Sequence, residues 1–458
     1  MTITDVSPET AEPGRRIPLS FNQEFLRGFD KGETDGAFGH RHTLVCGWRV
    51  TGTLDTEVLG RALNDIVERH EVLRTSIHGD ESGSHQVVHP ATPAELRVVD
   101  LPDDGRPRDE RAEAFLNELD AAPFSVSVLP HLRAEFGRFD ATDGVLVLVT
   151  HHTATDAWSV QLLMRDLATA YADRAAGRAP QETGPVHQYQ EFAQWQQDSA
   201  DGPRTERERA YWSERLAGAE ITGITTDRPR EDVPAAYGVH RFVFDTELSK
   251  AVTGYAKATR STPFMVLAAA YSLLLRGLTG TTDVVFPTFS SGRYEERFAD
   301  SVGPFFNFVP IRIDTTGSAT FGAVLEQARA ACLGAYQHEI PFAHIAQDSP
   351  SLLAPFADGF LAVVAFEVLQ SPFAGENGGT DGPRFAEIRR RVLSQNVSSA
   401  IPDGGLWAMD VLPDGDLAGS LKFDNNRFDE ATAVALVERF RALLHTLATA
   451  PDTAVDAG

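Results

Sequence analysis

The chain has 458 residues, of which 42% are hydrophobic and 23% are charged, a composition typical of folded globular proteins. Its 41 Lys and Arg residues stand against 65 Asp and Glu residues, and the formal net charge of −24 argues against nucleic acid or an anionic membrane as the main partner. With two cysteines, no signal-peptide pattern and no apolar run of about 18 residues, the sequence predicts a cytoplasmic protein without a disulfide framework.

The first half of the chain predicts alternating helices and strands after a loose tail over residues 1–16. Ser20 and Gln23 have the spacing of a capping box, so a helix is expected to begin at Ser20. Apolar periodicity predicts further helices over 54–70 and near 108–119. Strands are predicted at 74–78, 85–89, 96–100, 132–139 and 144–150. The last of these consists almost entirely of valine and leucine, which is typical of a strand buried on both faces.

The second half begins after residues 218–237, where two prolines and little periodicity predict a long crossover loop. Strands are then predicted from about 239, at 283–289, 305–313, 360–369, 405–412 and 418–424, and helices at 246–259, 263–278, 321–337 and 429–448. One hydrophobic core rarely grows beyond roughly 250–300 residues. We therefore expect an α/β protein with an N-terminal lobe over 17–180, a linker and crossover region over 181–237, and a C-terminal lobe over 238–450.

The segment from His151 to Asp156 is the strongest candidate for chemistry, because it lies where a buried strand ends and a helix begins. A histidine at such a junction can act as a base near neutral pH, and an aspartate four residues on can hold the loop or tune the ring. The residues alone leave other interpretations open. A single histidine is more often structural, and Asp156 or Ser159 can simply cap the helix.

The segment from His151 to Ala157 resembles the HHxxxDG motif of condensation domains of nonribosomal peptide synthetases, within the chloramphenicol-acetyltransferase-like superfamily. This sequence departs from the family where Ala157 replaces the usual glycine and where Phe308, rather than threonine, follows Asn307. Further segments resemble motifs of the same family in the same order, and the match covers about residues 17 to 448. These segments are residues 18–23, 69–75, 189–195, 302–312 and 338–342.

The resemblance implies two chloramphenicol acetyltransferase-like lobes that form a V-shaped pseudodimer with a central tunnel. It assigns His152 as the main catalytic residue and places His151 beneath the site. It pairs Asp156 with Arg293, and the backbone N–H of Ala157 is a candidate for holding the oxyanion. The residues assigned to the substrate tunnel are Asn307, Phe308 and Trp158.

The same resemblance implies an acyltransferase that binds no metal and no cofactor of its own. The chain lacks room for adenylation or carrier domains, so we expect the phosphopantetheine arm of a peptidyl carrier protein to bring an aminoacyl group in trans. The acceptor is then a small-molecule alcohol or amine, as in enzymes of enediyne antibiotic clusters, and the product an ester or amide. The basic run Arg389–Arg391 is a candidate docking surface, although a solvated face is its simpler interpretation.

Three other activities stay open within the family: an acyl-CoA-dependent acyltransferase, an epimerase-type domain and a non-catalytic domain that recruits partner proteins. A metal site at His85 and His89, or at His40 and His42, is disfavoured because no glutamate stands in an HExxH arrangement. Neither of the glycine-rich nucleotide-binding patterns is present in the sequence.

Overall fold

The computed structural model describes residues 16–80, 83–180, 186–200, 202–369 and 382–455, so the predicted tail lies almost entirely outside the described residues. The helices are α1 Phe21–Arg27, α2 Thr56–Arg69, α3 Arg108–Ala121, α4 Ala157–Ala175, α5 Tyr189–Asp198, α6 Pro203–Arg215, α7 Thr246–Ala258, α8 Pro263–Thr279, α9 Phe321–Gln337, α10 Phe342–Asp348, α11 Ala354–Ala357 and α12 Glu430–Thr449. The strands are β1 Thr43–Thr51, β2 Thr75–Asp80, β3 Gly83–Val88, β4 Glu95–Asp100, β5 Leu132–Asp140, β6 Asp143–His151, β7 Ile224–Thr225, β8 Tyr237–Val243, β9 Asp283–Ser290, β10 Asn307–Asp314, β11 Leu361–Ala362, β12 Val364–Leu369, β13 Arg384–Glu387, β14 Gly405–Val411 and β15 Leu417–Asp424.

The N-terminal lobe is built on a five-stranded sheet with the strand order β13-β1-β6-β5-β4. Its central strand β6 is buried on both faces, as the run of valine and leucine predicts. Leu146 and Leu148 pack with helices α2 and α4, whereas Val145, Val147 and Val149 pack with helix α3 on the opposite side. Because β6 is enclosed along its whole length, it fixes the residues at its C-terminal end.

The C-terminal lobe contains a four-stranded sheet of order β12-β14-β15-β8 and the antiparallel pair β9 and β10. Phe366, Trp407 and Phe440 are almost fully buried and join this sheet to helices α7, α8, α9 and α12 in one core. Within the described residues, no single helix has the length and apolarity needed to cross a membrane. Helices α7 and α8 pass that test only as a pair, and they bend by 109° at their junction.

Segments of the C-terminal half form part of the N-terminal lobe. Strand β13 follows most of the C-terminal lobe in sequence, yet it pairs with β1 of the N-terminal sheet, with Phe385 opposite Val50. Phe298 and Phe305 likewise lie in the hydrophobic core of the N-terminal lobe. The N-terminal lobe is therefore built from segments of both halves of the chain.

The predicted α/β architecture in two lobes is confirmed, and several of its elements begin where the sequence predicts. Ser20 and Gln23 form the capping box. Helix α2 buries six apolar side chains along one face, as the periodicity indicates. The region predicted as linker and crossover is more structured than expected. It contains helices α5 and α6, and the short strand β7, which pairs with β11.

Candidate active site

The strand β6 and helix α4 hold the candidate catalytic segment between them. Strand β6 ends at His151, and helix α4 begins at Ala157 with Asp156 as its N-cap. The hydroxyl groups of Thr150 and Thr155 are hydrogen bonded at 2.6 Å, which closes the loop that joins the two elements. The segment is thus a short, internally bonded turn at the end of a rigid strand.

His151 is a fully buried ring with both nitrogens engaged. Its Nε2 lies 3.1 Å from the Gly39 carbonyl oxygen and therefore donates to it, and its Nδ1 accepts from the Thr153 hydroxyl at 2.8 Å. Burial lowers the pKa of His151 to about 3, so the ring is neutral near pH 7. This arrangement supports the loop and leaves no nitrogen of His151 for a substrate.

The half-buried ring of His152 lies between two aromatic neighbours. It stacks on His42, with ring centroids 4.7 Å apart and planes 19° apart, and the edge of Phe306 approaches it at 4.9 Å. The backbone N–H of His152 donates to the His42 carbonyl oxygen at 2.9 Å. His42 belongs to none of the matched family segments and reaches this position through the pairing of β1 with β6, in which Thr43 opposes His151. Phe306 lies in the matched segment 302–312, although the resemblance assigns it no role.

The electrostatics of His152 favour a neutral imidazole. Burial lowers its pKa below the usual 6.5, while the charge of Asp156 and nearby backbone groups oppose that shift only in part. Its Nδ1 is buried and makes no hydrogen bond of ordinary geometry within the described part of the chain. The nitrogen that remains for a substrate is therefore Nε2.

Asp156 and Arg293 form a buried ion pair that joins the two lobes. Arg293 Nη1 lies 2.8 Å from Asp156 Oδ2, and the two side chains are 3% and 5% exposed. The carboxylate also accepts from the backbone N–H groups of Ser159 at 2.7 Å and Phe305 at 3.0 Å. Both interpretations of Asp156 thus hold, because it caps helix α4 and also binds the guanidinium.

Ala157 is exposed and is the first residue of helix α4. Among the described non-glycine residues, Arg260 alone has a positive φ, so the backbone at Ala157 does not need a glycine. The first amide of a helix has no partner within the helix, which keeps this N–H available to an acceptor. The departure from the family pattern is therefore compatible with an intact loop.

The three residues assigned to the tunnel have different surroundings. Asn307 Nδ2 donates to the Ile340 carbonyl oxygen at 2.8 Å, and its Oδ1 accepts from the Phe342 backbone N–H at 2.9 Å. The Phe308 ring packs 4.6 Å from Phe289. Trp158 Nε1 donates to the Ala299 carbonyl oxygen at 3.3 Å. Phe306, which precedes Asn307, is the residue of this segment that contacts His152.

The basic run Arg389–Arg391 is not an open basic surface, because its charges have acidic partners or are buried, and only the exposed Arg390 fits the interpretation of a solvated face. Arg389 donates to Asp410 at 3.1 Å. Arg390 donates to Asp414 and Asp416 at 2.8 and 2.7 Å. Burial lowers the pKa of Arg391. The local sequence hides these partners because the acids lie about twenty residues further along the chain.

Within the described residues, no group of three or more His, Cys, Asp or Glu side chains is placed to hold a metal ion. The disfavoured metal pair belongs to a hairpin instead. His85 lies in β3 opposite His78, and Ser76 Oγ is 2.6 Å from His89 Nε2. The ring of His42 stacks on His152 rather than facing a ligand set.

The sequence is similar to condensation domains and to nonribosomal peptide synthetases. The family model described as "Condensation domain" matches residues 16–457. The probable non-canonical nonribosomal peptide synthetase CymA from Salinispora arenicola is 33% identical over 463 residues, which covers 96% of this chain and 6% of that protein. The dimodular nonribosomal peptide synthase of Bacillus subtilis is 30% identical over 459 residues, which covers 97% of this chain and 18% of that protein. This chain therefore spans only a small fraction of either relative.

Two solved structures are similar over nearly the whole chain. SgcC5 from Streptomyces globisporus, in complex with (R)-(-)-1-(2-naphthyl)-1,2-ethanediol and sucrose, is 39% identical with a TM-score of 0.91, covering 95% of this chain and 100% of that one. The X-domain of teicoplanin biosynthesis, in its complex with OxyB, is 25% identical with a TM-score of 0.74, covering 100% of this chain and 99% of that one.

Proposed function

Because the chain belongs to the condensation-domain family, we propose that it transfers an aminoacyl group from the phosphopantetheine thioester of a peptidyl carrier protein to the hydroxyl or amine of a small molecule. The product is an ester or an amide. The observation that carries the proposal is the state of His152, a neutral, half-buried imidazole at the end of a rigid strand.

The chemistry needs one base and one site for developing negative charge. The acceptor oxygen or nitrogen attacks the thioester carbonyl carbon as its proton passes to Nε2 of His152, and a tetrahedral oxyanion forms. The backbone N–H of Ala157 is the candidate donor to that oxyanion. The C–S bond then breaks, and the pantetheine thiolate leaves with the proton from the imidazolium. Base assistance of this kind is typically worth about 10²–10⁴-fold in rate.

The acceptor is best sought among vicinal diols. SgcC5, at 39% identity, has been solved with a 1,2-ethanediol derivative, and that likeness supports an alcohol acceptor for this chain. We extend the proposal to ester formation in an enediyne-type pathway, on the strength of the same neighbour and of the motif resemblance. An amine acceptor would follow the same proton path and give an amide.

The test loads a carrier protein with an aminoacyl group and supplies 1-(2-naphthyl)-1,2-ethanediol or the matching amino alcohol. Product is measured by mass spectrometry for the wild type, for His152→Ala and for the control His445→Ala, which replaces an exposed histidine on α12. We expect ester or amide with the wild type and the control, and a loss of at least about 100-fold with His152→Ala. Equal turnover by His152→Ala would refute the assigned base.

Two other activities give distinct outcomes in the same experiment. Product formed from an acyl-CoA without any carrier would indicate a simple acyltransferase. Inverted stereochemistry of the aminoacyl group, with no new bond, would indicate an epimerase. Either result would replace the proposed reaction while keeping His152 as the reacting base.

A partner-recruiting role is the second candidate, and it is favoured by the similarity to the X-domain solved in complex with OxyB. The ion pair of Asp156 with Arg293 is compatible with either role, because it holds the loop and the two lobes together and would do so in a catalytic or a recruiting domain. Binding of a loaded carrier without turnover of any acceptor would favour this role over catalysis.

A further inference from the structure

The sheet of strands β12, β14, β15 and β8 has one face in the hydrophobic core and an opposite face with polar side chains. Phe366, Trp407 and Leu421 lie side by side on the core face. Because side chains alternate along a strand, their neighbours Glu367 and Lys422 lie on the opposite face. The structure thus places a carboxyl group and an ammonium group on the face of the sheet opposite the core, where both residues are half-buried.

Lys422 connects this face to the candidate active site. Burial is the main cause that lowers the pKa values of His152 and His42, and the charge of Lys422 adds a smaller contribution in the same direction. The same charge opposes the rise that burial causes in the pKa of Glu367. Lys422 reaches this site through the segment of Ser399 and Ala400, because the backbone N–H of Ala400 donates to the Arg41 carbonyl oxygen at 2.7 Å, next to His42, which stacks on His152. Lys422 Nζ donates to Ser399 Oγ at 2.6 Å.

A second acid, Asp120 on α3, also lies in the surroundings of Lys422. The charge of Lys422 lowers the pKa of the buried Asp120 to about 2, together with neighbouring arginines that oppose the effect of burial. The Asp120 carboxylate also accepts from the Ser398 hydroxyl at 2.6 Å. Lys422 therefore binds the Ser398–Ser399 segment, whose hydroxyl and backbone N–H groups also bind Asp120 of α3.

Glu367 has no such partner. Its carboxyl group makes no hydrogen bond or ion pair within the described residues, and the residue is half-buried. Burial raises the pKa of Glu367 to about 7, Lys422 opposes that shift, and Asp410 adds to it. The guanidinium of Arg389, which lies near this face, is bound to Asp410.

We propose that Glu367 binds the protonated amino group of the aminoacyl donor, which makes it a specificity-determining residue on the sheet face that it shares with Lys422. The inference rests on the function proposed above. The acceptor must attack as a neutral alcohol or amine, because an ammonium group has no lone pair to form the new bond. The amino group of the donor does not react, so it keeps its positive charge throughout the transfer and needs a counter-charge once water is excluded.

The test compares two donors that differ only at the amino group, phenylalanyl-carrier and 3-phenylpropanoyl-carrier, with wild type and Glu367→Gln. A hydrogen bond between charged groups implies a loss of about 10- to 100-fold in kcat/KM for the aminoacyl donor. The des-amino donor is expected to change by less than about three-fold. A purely structural role of Glu367 would lower both values together and leave their ratio unchanged.

A binding measurement keeps this test independent of turnover. Calorimetry with phenylalanyl-pantetheine amide and its des-amino analogue, which the enzyme cannot transfer, is expected to show a preference for the amine that Glu367→Gln removes and Glu367→Asp partly restores. Glu326→Gln, on the exposed face of α9, is the matched control and should keep the preference. The absence of any difference between wild type and Glu367→Gln overturns the inference, whereas absence of turnover counts against the proposed reaction alone.

Discussion

Removal of the Arg293 guanidinium is the sharpest perturbation of the site, because this group joins the lobes through several bonds. It donates to both Asp156 carboxylate oxygens, at 2.8 and 3.2 Å, and to the Ser159 hydroxyl at 2.8 Å. Its Cζ lies 4.2 Å from the centroid of the Phe305 ring. In Arg293→Ala, the Asp156 carboxylate keeps only backbone N–H groups as partners and remains buried.

The size of the expected loss in unfolding free energy follows from the burial of the ion pair. The two side chains are 3% and 5% exposed, so solvent cannot replace the lost partner. Removal of one member of such a buried pair costs about 3–5 kcal/mol, a large fraction of the roughly 5–15 kcal/mol by which folded domains are stable. Arg293→Met keeps much of the packing against Phe305. The double variant Arg293→Met with Asp156→Asn should lose less than the sum of the single losses.

Urea unfolding followed by tryptophan fluorescence measures these effects, and Trp158 is a local reporter because its ring lies 5.8 Å from the Arg293 Cζ. We expect Arg293→Ala to lower the free energy of unfolding by at least about 3 kcal/mol and to lower activity as the loop loosens. A loss below about 1 kcal/mol would refute the structural role of the pair. Activity lost without any loss of stability would assign Arg293 to the chemistry instead.

Three further predictions concern protonation and the helix start. Because burial lowers the pKa of His152, kcat/KM for a des-amino donor should rise with pH below 6.5 and level off by neutrality; a rise centred above pH 7 would contradict this. Burial lowers the pKa of His131 to about 4, so the folded state binds fewer protons than the unfolded state below pH 6.5. Stability to urea should therefore fall from pH 6.5 toward 4, less steeply in His131→Gln, and an unchanged slope would exclude this cause. Ala157→Gly should cost at most about 1 kcal/mol and change activity by under about three-fold; a ten-fold gain would show that the loop needs a glycine.

The sequence predicts the elements whose pattern is local. The capping box at Ser20 and the helical stripe of α2 depend on residues within one or two turns, and both are present. The sequence does not predict strand β1, because Gly47 and Arg49 interrupt its apolar pattern. The structure explains the glycine, since a Cβ on Gly47 would lie 2.7 Å from a methyl group of Leu116 on α3. Packing between elements thus overrides the local pattern of this strand.

The candidate site likewise contains residues that the sequence predicts and residues that it does not. The segment from His151 to Asp156 is contiguous, so a motif finds it, and the family resemblance supplies Arg293. His42 and Phe306 reach the His152 ring only through the pairing of β1 with β6 and the approach of the C-terminal lobe. Glu367 depends on the register of three strands, which no nearby sequence signal specifies.

The placement of β13 makes the two halves of the polypeptide interdependent during folding. A fragment that ends near residue 220 would contain strands β1 to β6 but not the segment that covers β1 along Trp48 to Thr51. Its exposed backbone amides and carbonyls would offer a template to any extended peptide, a common cause of aggregation. Separately produced halves are therefore expected to be recovered in folded form only when they are refolded together.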